Sequence, residues 1–310
     1  MKENSHPVQP ANAAPDLLRV AISQALKQLT AVKPIPDEAI HEARKSLKKA
    51  RATLRLLVDG MNDAAYRREN MKLRDAGRLL TPLRDAKSLI DALDSLQDRY
   101  PAKLPDNSLA QLKKILHANL ARARRHFHPP SGRQSAELDN CIKLLKNSLA
   151  MAQRKDIQSI EFRHIGTGLR RIYRKGRKAA AEAKADPATE TLHEWRKQVK
   201  YLLNAAEGLH EGLHVSENNG NKGTKKILKR ADRLADLLGN DHELAMLSRE
   251  IDRAEYISVN AAVITTLHRL IDRWRAKLQK RAFKSGRKLY DQKPRQFVRR
   301  ACPCVCAAPR

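Results

Sequence analysis

The 310 residues carry 62 Lys+Arg against 34 Asp+Glu, a formal charge of +28, with 41% hydrophobic and 4% aromatic residues. That length accommodates one large domain or two ordinary ones with a real core, but the charge is too high for an ordinary metabolic enzyme and calls for an anionic partner. The few aromatics disfavour base-stacking platforms, 12 Gly and 14 Pro exclude collagen-like chains, and the lack of any apolar run of about 18 residues excludes a transmembrane helix.

Residues 1–14 are polar and rich in Pro and Ala, which predicts a loose tail without a secretory signal. From Asp16 the apolar residues Leu18, Ile22, Ala25 and Leu29 recur at helical spacing, and Pro34 and Pro36 close that helix. Asp37 is the expected cap of a second helix over 38–58. A third runs over 64–80 to the break at Thr81-Pro82, and a fourth follows to Arg99. Beyond the loop marked by Pro101 and Pro105, helices are expected over 108–127 and 134–154, around the turn at 128–132. The second half offers helices over 160–185, 189–213, 224–238, 241–255 and 258–285, with a flexible loop at 216–223. No segment alternates with period two, so the expected fold is all-α. Residues 293–310 read as a second disordered tail, in which Cys302, Cys304 and Cys306 cluster without visible partners; Cys141 sits among apolar residues as a core thiol. Four cysteines make no disulfide framework, and a cytoplasmic location is expected.

An internal repeat organises the chain. His41-Glu42-Ala43-Arg44-Lys45-Ser46-Leu47-Lys48 returns at an offset of 152 as His193-Glu194-Trp195-Arg196-Lys197-Gln198-Val199-Lys200. The Leu79-Leu80 element ending in Asp85 returns as Leu237-Leu238 ending in Asp241, at an offset of 156. Two copies of one helical bundle, 15–156 and 157–292, is the economical reading.

At about 100° per residue, Arg44, Lys45, Lys48, Arg51 and Arg55 fall within roughly 60–80° of His41, opposite Leu47, Leu54 and Val58. His193, Arg196, Lys197 and Lys200 repeat the pattern opposite Trp195 and Val199. A third rail, Arg163, Arg170, Arg174 and Arg177, runs through 163–178, a stretch without an acid. Solvated helix faces normally mix signs, because like charges at i,i+4 cost a few tenths of a kcal/mol. Arg44–Lys48, Arg51–Arg55, Arg170–Arg174 and Arg196–Lys200 are all like pairs, which favours surfaces that bind an anion. His41 and His193 open His-Glu-x-x-Lys strings. The second histidine of the zinc motif His-Glu-x-x-His is missing, so metal ligation fails, and each histidine either orients its helix or donates to a phosphate.

The two His-Glu-x-Arg-Lys-x-x-Lys strings, each followed by its Leu-Leu…Asp element, and the Leu169-Arg170-Arg171-Ile172-Tyr173-Arg174 helix between them resemble the CHAD family, the conserved histidine α-helical domain. The resemblance covers about residues 15–290. It implies two four-helix-bundle-like halves about a pseudo-two-fold axis, with a central basic groove or pore that binds inorganic polyphosphate and allows recruitment to polyphosphate granules. It implicates His41, Arg44, Lys45, Lys48, Arg51 and Arg55 in the first copy, His193, Arg196, Lys197 and Lys200 in the second, and Arg170, Arg174 and Arg177 between them. The first copy lacks the family's glycine before Arg84-Asp85, and the second has Asn240 in place of the arginine; the two aspartates are expected to brace the rails from behind. The family's triphosphate-processing β-rich partner domain has no counterpart in this sequence.

The expected function is therefore polyphosphate binding without turnover, cofactor or metal. A general polyanion or nucleic-acid binder, with weak nucleic-acid affinity, is the second reading. A phosphohydrolase or kinase is the third, and it lacks an acidic pair beside the rails. The oligomeric state is not legible.

Overall fold

A computed structural model describes residues 13–32, 35–127, 135–213, 222–253 and 259–301. Every regular element among these is helical. The first half contains α1 (Ala13–Thr30), α2 (Asp37–Leu56), α3 (Asp63–Leu79), α4 (Thr81–Arg99), α5 (Asp106–Phe127), α6 (Ala136–Ala152) and the short α7 (Lys155–Gln158), with 3-10 turns at Val58–Gly60 and Pro101–Lys103. The second half contains α8 (Phe162–Ala185), α9 (Thr189–Leu213), α10 (Lys222–Ile251), α11 (Ala261–Leu289) and α12 (Pro294–Ala301). The turn at 128–132, most of the loop at 216–223, residues 1–12 of the expected N-terminal tail and the cysteine cluster lie outside the described residues, while Ala13 and Ala14, expected in that tail, open α1 because Ala14 is buried in the core.

The helices start and stop where side-chain chemistry dictates. Asn62 caps α3 by accepting from the Ala64 and Ala65 amides at 2.9 and 3.4 Å, and Asn260 caps α11 by accepting from Ala262 at 2.8 Å. Pro82, in the first turn of α4, divides α4 from α3 because a proline has no amide hydrogen to carry one helix through. Asp37 is not a cap. It is the first helical residue, with Pro36 before it, and its carboxylate accepts from Arg124 Nε of α5 at 2.9 Å.

α2 is the hub, and Ile40, Ala43, Leu47, Ala50 and Leu54 are buried along its apolar face. Full burial of a leucine such as Leu47 or Leu54 contributes about 1.5–3 kcal/mol. α2 packs against α1, α3, α8 and α9, so the two helices that carry the repeated His-Glu string meet directly. α9 packs in turn on α8 and α10, and α4 bridges α5 and α10. The crossing of α2 and α8 depends on Gly168, where a Cβ would stand 2.7 Å from Leu56 Cα and 2.8 Å from its carbonyl carbon.

Two segments differ from the sequence-based expectation. The stretch expected as two helices, over 224–238 and 241–255, is one continuous helix, α10. Leu234, Leu238 and Leu244 keep a buried apolar seam across Gly239-Asn240, and that packing outweighs the roughly 1 kcal/mol that glycine costs a helix. The expected tail beyond 293 begins with α12, whose Phe297, Val298 and Ala301 are buried while Arg295, Arg299 and Arg300 face solvent. Phe297 stacks on Tyr173 of α8 with ring centroids 3.9 Å apart. The arginines and the short length of this segment mask its buried apolar positions in the sequence.

Candidate functional site

A groove of about 1070 Å3 opens between α2, α4, α5, α9 and α10. The rails of α2 and α9 enter it side by side: His41, Arg44 and Lys48 from one, His193, Arg196 and Lys200 from the other. Arg84 of α4, Arg122 and His126 of α5, His242 of α10 and Arg253 just beyond its end join them. Asp85, Asp236, Glu243 and Glu250 also line it, so seven Lys and Arg face four carboxylates. Among the lining residues there is no Phe, Tyr or Trp.

Arg44 is positioned by the α3–α4 break. Its Nη1 donates to the Gly77 carbonyl at 3.0 Å and to Thr81 Oγ1 at 2.6 Å, and the Thr81 hydroxyl donates to the same carbonyl at 3.0 Å, so the three groups lock together at the end of α3. Its Nε is buried without a hydrogen-bond partner, as are Arg84 Nη1 and Arg196 Nε. Arg84 stands 3.6 Å from Glu243 and 3.7 Å from Asp91, too far for a hydrogen bond to either. Buried guanidinium nitrogens without a hydrogen-bond acceptor are costly, and three beside one groove represent unmet donor capacity.

The groove also disfavours its own charges. Burial, with the neighbouring arginines, lowers the pKa of Arg44 and Arg196 below the usual guanidinium value, against the attraction of Asp85 and Glu243. Lys48 is reached by solvent, yet the enclosing walls and the cations Arg44, Arg196 and Lys200 push its ammonium down to about 8. On the carboxylates burial outweighs the nearby arginines, so Asp85 and Glu243 are raised. At one edge His193 Nδ1 lies 3.3 Å from His242 Nδ1, with ring centroids 4.3 Å apart. Burial and the Arg196 charge lower both rings, His242 to about 3. Each cation would be relieved by an anion placed among them.

The other residues singled out from the sequence lie elsewhere. Lys45 is ion-paired with Glu42 at 3.5 Å and Lys197 with Glu194. Each follows its groove-lining arginine by one residue, and 100° of helix rotation carries it out of the groove. Arg55 lies over the Tyr201 ring at 3.7 Å and donates to the Arg51 carbonyl at 2.7 Å, while Arg51 donates to Asn70 at 3.4 Å. These two sit further along α2, beyond the groove. Arg170 and Arg174 line a separate concavity beside α12, and Arg177 donates to the Gln292 carbonyl at 3.4 Å. The three rails do not form one surface. The Arg163 side chain lies outside the described residues.

The two repeat aspartates also part company. Asp85 is in the groove, whereas Asp241 is buried and accepts from Arg275 Nε at 3.1 Å and Gln279 at 2.9 Å, bracing α11 instead of a rail. Arg84, His242 and Glu243 are legible in the sequence only as neighbours of the repeated Leu-Leu…Asp element, and nothing in the α5 sequence distinguishes Arg122 or His126. Among the described residues no three His, Cys, Asp or Glu side chains stand together as a metal site, and no helix is long and apolar enough to cross a membrane.

The family model for the CHAD domain matches residues 16–252. Among solved structures, the chain is similar to PptA from Streptomyces chartreusis, with a TM-score of 0.61 and 15% identity over 92% of this chain and 100% of that one. It is also similar to the CHAD domain from the plant Ricinus communis, with a TM-score of 0.54 and 15% identity over 100% of this chain and 97% of the other. No curated protein matches the sequence. α11 and α12 lie beyond the matched residues but pack on α10, and both touch α8.

Proposed function

This chain belongs to the CHAD-domain family, and from that premise we propose that the groove between α2, α4, α5, α9 and α10 binds inorganic polyphosphate without turning it over, placing the protein at polyphosphate granules. The observation that carries this reading is the group of three buried guanidinium nitrogens, on Arg44, Arg84 and Arg196, that make no hydrogen bond beside Lys48 and Lys200. A polyphosphate chain bears about one negative charge per internal phosphate and has no base edge to read. Forked guanidinium donors match its paired oxygens, and the two lysines act as mobile point charges beside them. Affinity then rests on several phosphate contacts and counterion release, so it falls steeply with salt. The carboxylates Asp85 and Glu243, held among these arginines, offset the repulsion between the groove's own cations and compete weakly with an incoming phosphate.

Nucleic acid is the second reading, supported by the net charge alone. The groove lacks the aromatic rings on which single-stranded bases stack. Competition between long-chain polyphosphate and duplex DNA at matched phosphate concentration separates the two. Polyphosphate is expected to displace bound DNA, while DNA that displaces polyphosphate equally well reduces the groove to a general polyanion site.

A further inference from the structure

We infer that the concavity between α8 and the start of α12 is a second binding site for a phosphate chain, so that one molecule engages two stretches of polyphosphate at once. This rests on the proposal that polyphosphate is the ligand of the groove. The concavity, about 660 Å3, is lined by Arg170 and Arg174 of α8 and by Lys293, Pro294, Arg295 and Gln296. It shares no lining residue with the groove. Four cations face it and no carboxylate does, in contrast to the mixed groove. The neighbouring acid Asp291 is taken up by Arg230, at 3.5 Å. Arg170, Arg174 and Arg295 are exposed, and among the described residues none makes a hydrogen bond or ion pair. Arg170 and Arg174 stand one helical turn apart, where like charges destabilise a helix, and an anion across them removes that repulsion.

The two walls are fixed to one another, so the cations form a preset cradle. Phe297 stacks on Tyr173, whose hydroxyl donates to the Leu289 and Gln292 carbonyls at 3.3 and 3.1 Å. Arg177, two turns from Arg170 on the same helix, ties α8 to the Gln292 carbonyl. The chemistry of the cradle selects among anions. The nearby aromatic rings, Tyr173 of α8 and Phe297 of α12, are buried between the two helices and offer no face to a base. Among the described residues the exposed large apolar side chains are Val20, Val32 and Met71, on or near α1 and α3, and none of them lines the concavity. A bare run of phosphates needs neither.

The test is the stoichiometry of short-chain polyphosphate on the full-length protein, measured by titration calorimetry with melting curves to verify folding. The wild type is expected to take two equivalents. The R170E/R174E/R295E variant, altered only at exposed positions, is expected to take one, with the remaining affinity within about twofold of the stronger wild-type site. Lys48→Gln with Arg196→Gln and Lys200→Gln is expected to remove the other equivalent. A wild type that takes a single equivalent, or a charge-reversed variant that still takes two, overturns the second site. If the groove variant binds as the wild type does while the α8 variant loses all binding, the groove reading falls and the α8 site stands. If duplex DNA or phosphatidylserine vesicles bind through Arg170, Arg174 and Arg295 while polyphosphate does not, the ligand assignment is overturned.

Discussion

Lys48 reports the electrostatics of the groove through its proton. Its ammonium is held at about 8, against an ordinary 10.5, by the enclosing walls and by Arg44, Arg196, Lys200 and Arg84. A bound polyanion reverses the field at that nitrogen, so the complex favours the protonated form. Below pH 8 the lysine is charged in free and bound protein alike, and its contribution to affinity is constant. Above that value binding must take up a proton, so affinity falls with rising pH by at most tenfold per unit. At the midpoint binding takes up to half a proton from solution.

The stability of the free protein moves in the opposite direction. The unfolded chain holds more protons than the native state between about 8 and 10.5, so stability rises with pH across that window. Water in the open groove screens the effect and holds it to about 1 kcal/mol or less. Calorimetric titration with polyphosphate at several pH values between about 7 and 9, in two buffers of different ionisation enthalpy, measures both affinity and proton uptake. Lys48→Arg keeps its charge throughout and should flatten the profile while preserving affinity at neutral pH. Wild-type binding that is independent of pH, or a profile unchanged by Lys48→Arg, refutes the argument.

Three stability changes follow from the packing. Gly168→Ala forces α8 away from the end of α2 and should lower unfolding free energy by about 1–3 kcal/mol in urea, with an unchanged slope; wild-type stability would show that the helices cross more loosely. Phe297→Ala removes the stacking partner of Tyr173 and should cost about 3–5 kcal/mol, which a melting curve reads directly and a loose C-terminal tail would not produce. Asp241→Asn weakens the charge-assisted bonds to Arg275 and Gln279 by about 1–3 kcal/mol. Because Asp241 braces α11 and does not line the groove, polyphosphate affinity should change little in that variant, and a large loss would place the aspartate at the ligand.

The fold class is legible because its signals are local and redundant. Apolar spacing, Pro82 between two helices and the returning His-Glu string each point to helices. What the sequence conceals depends on partners distant in the chain. Gly239-Asn240 has the local signature of a break, and only the buried seam on both sides carries α10 through it. Asp37 has the chemistry of a cap, and Arg124 of α5 redirects it. The α2 and α9 rails are legible, and the groove takes from them His41, Arg44, Lys48, His193, Arg196 and Lys200. Lys45 and Lys197 join them on a helical wheel because a wheel shows a broad arc, whereas a groove walled by α4 and α10 admits a narrow one. Arg170 and Arg174 have the same pattern on another helix, and no feature of a single sequence shows which rails converge.

The most direct test of the central claim compares long-chain polyphosphate binding by the wild type with that of the variant carrying Lys48→Gln, Arg196→Gln and Lys200→Gln, with ligand-induced melting shifts recorded for both. The R170E/R174E/R295E background isolates the groove in each protein. Removing two or more charge-assisted hydrogen bonds to phosphate should weaken binding by at least about a hundredfold and nearly abolish the melting shift. Equal affinity and an equal shift in a variant that remains folded would contradict the assignment of the groove as the polyphosphate site.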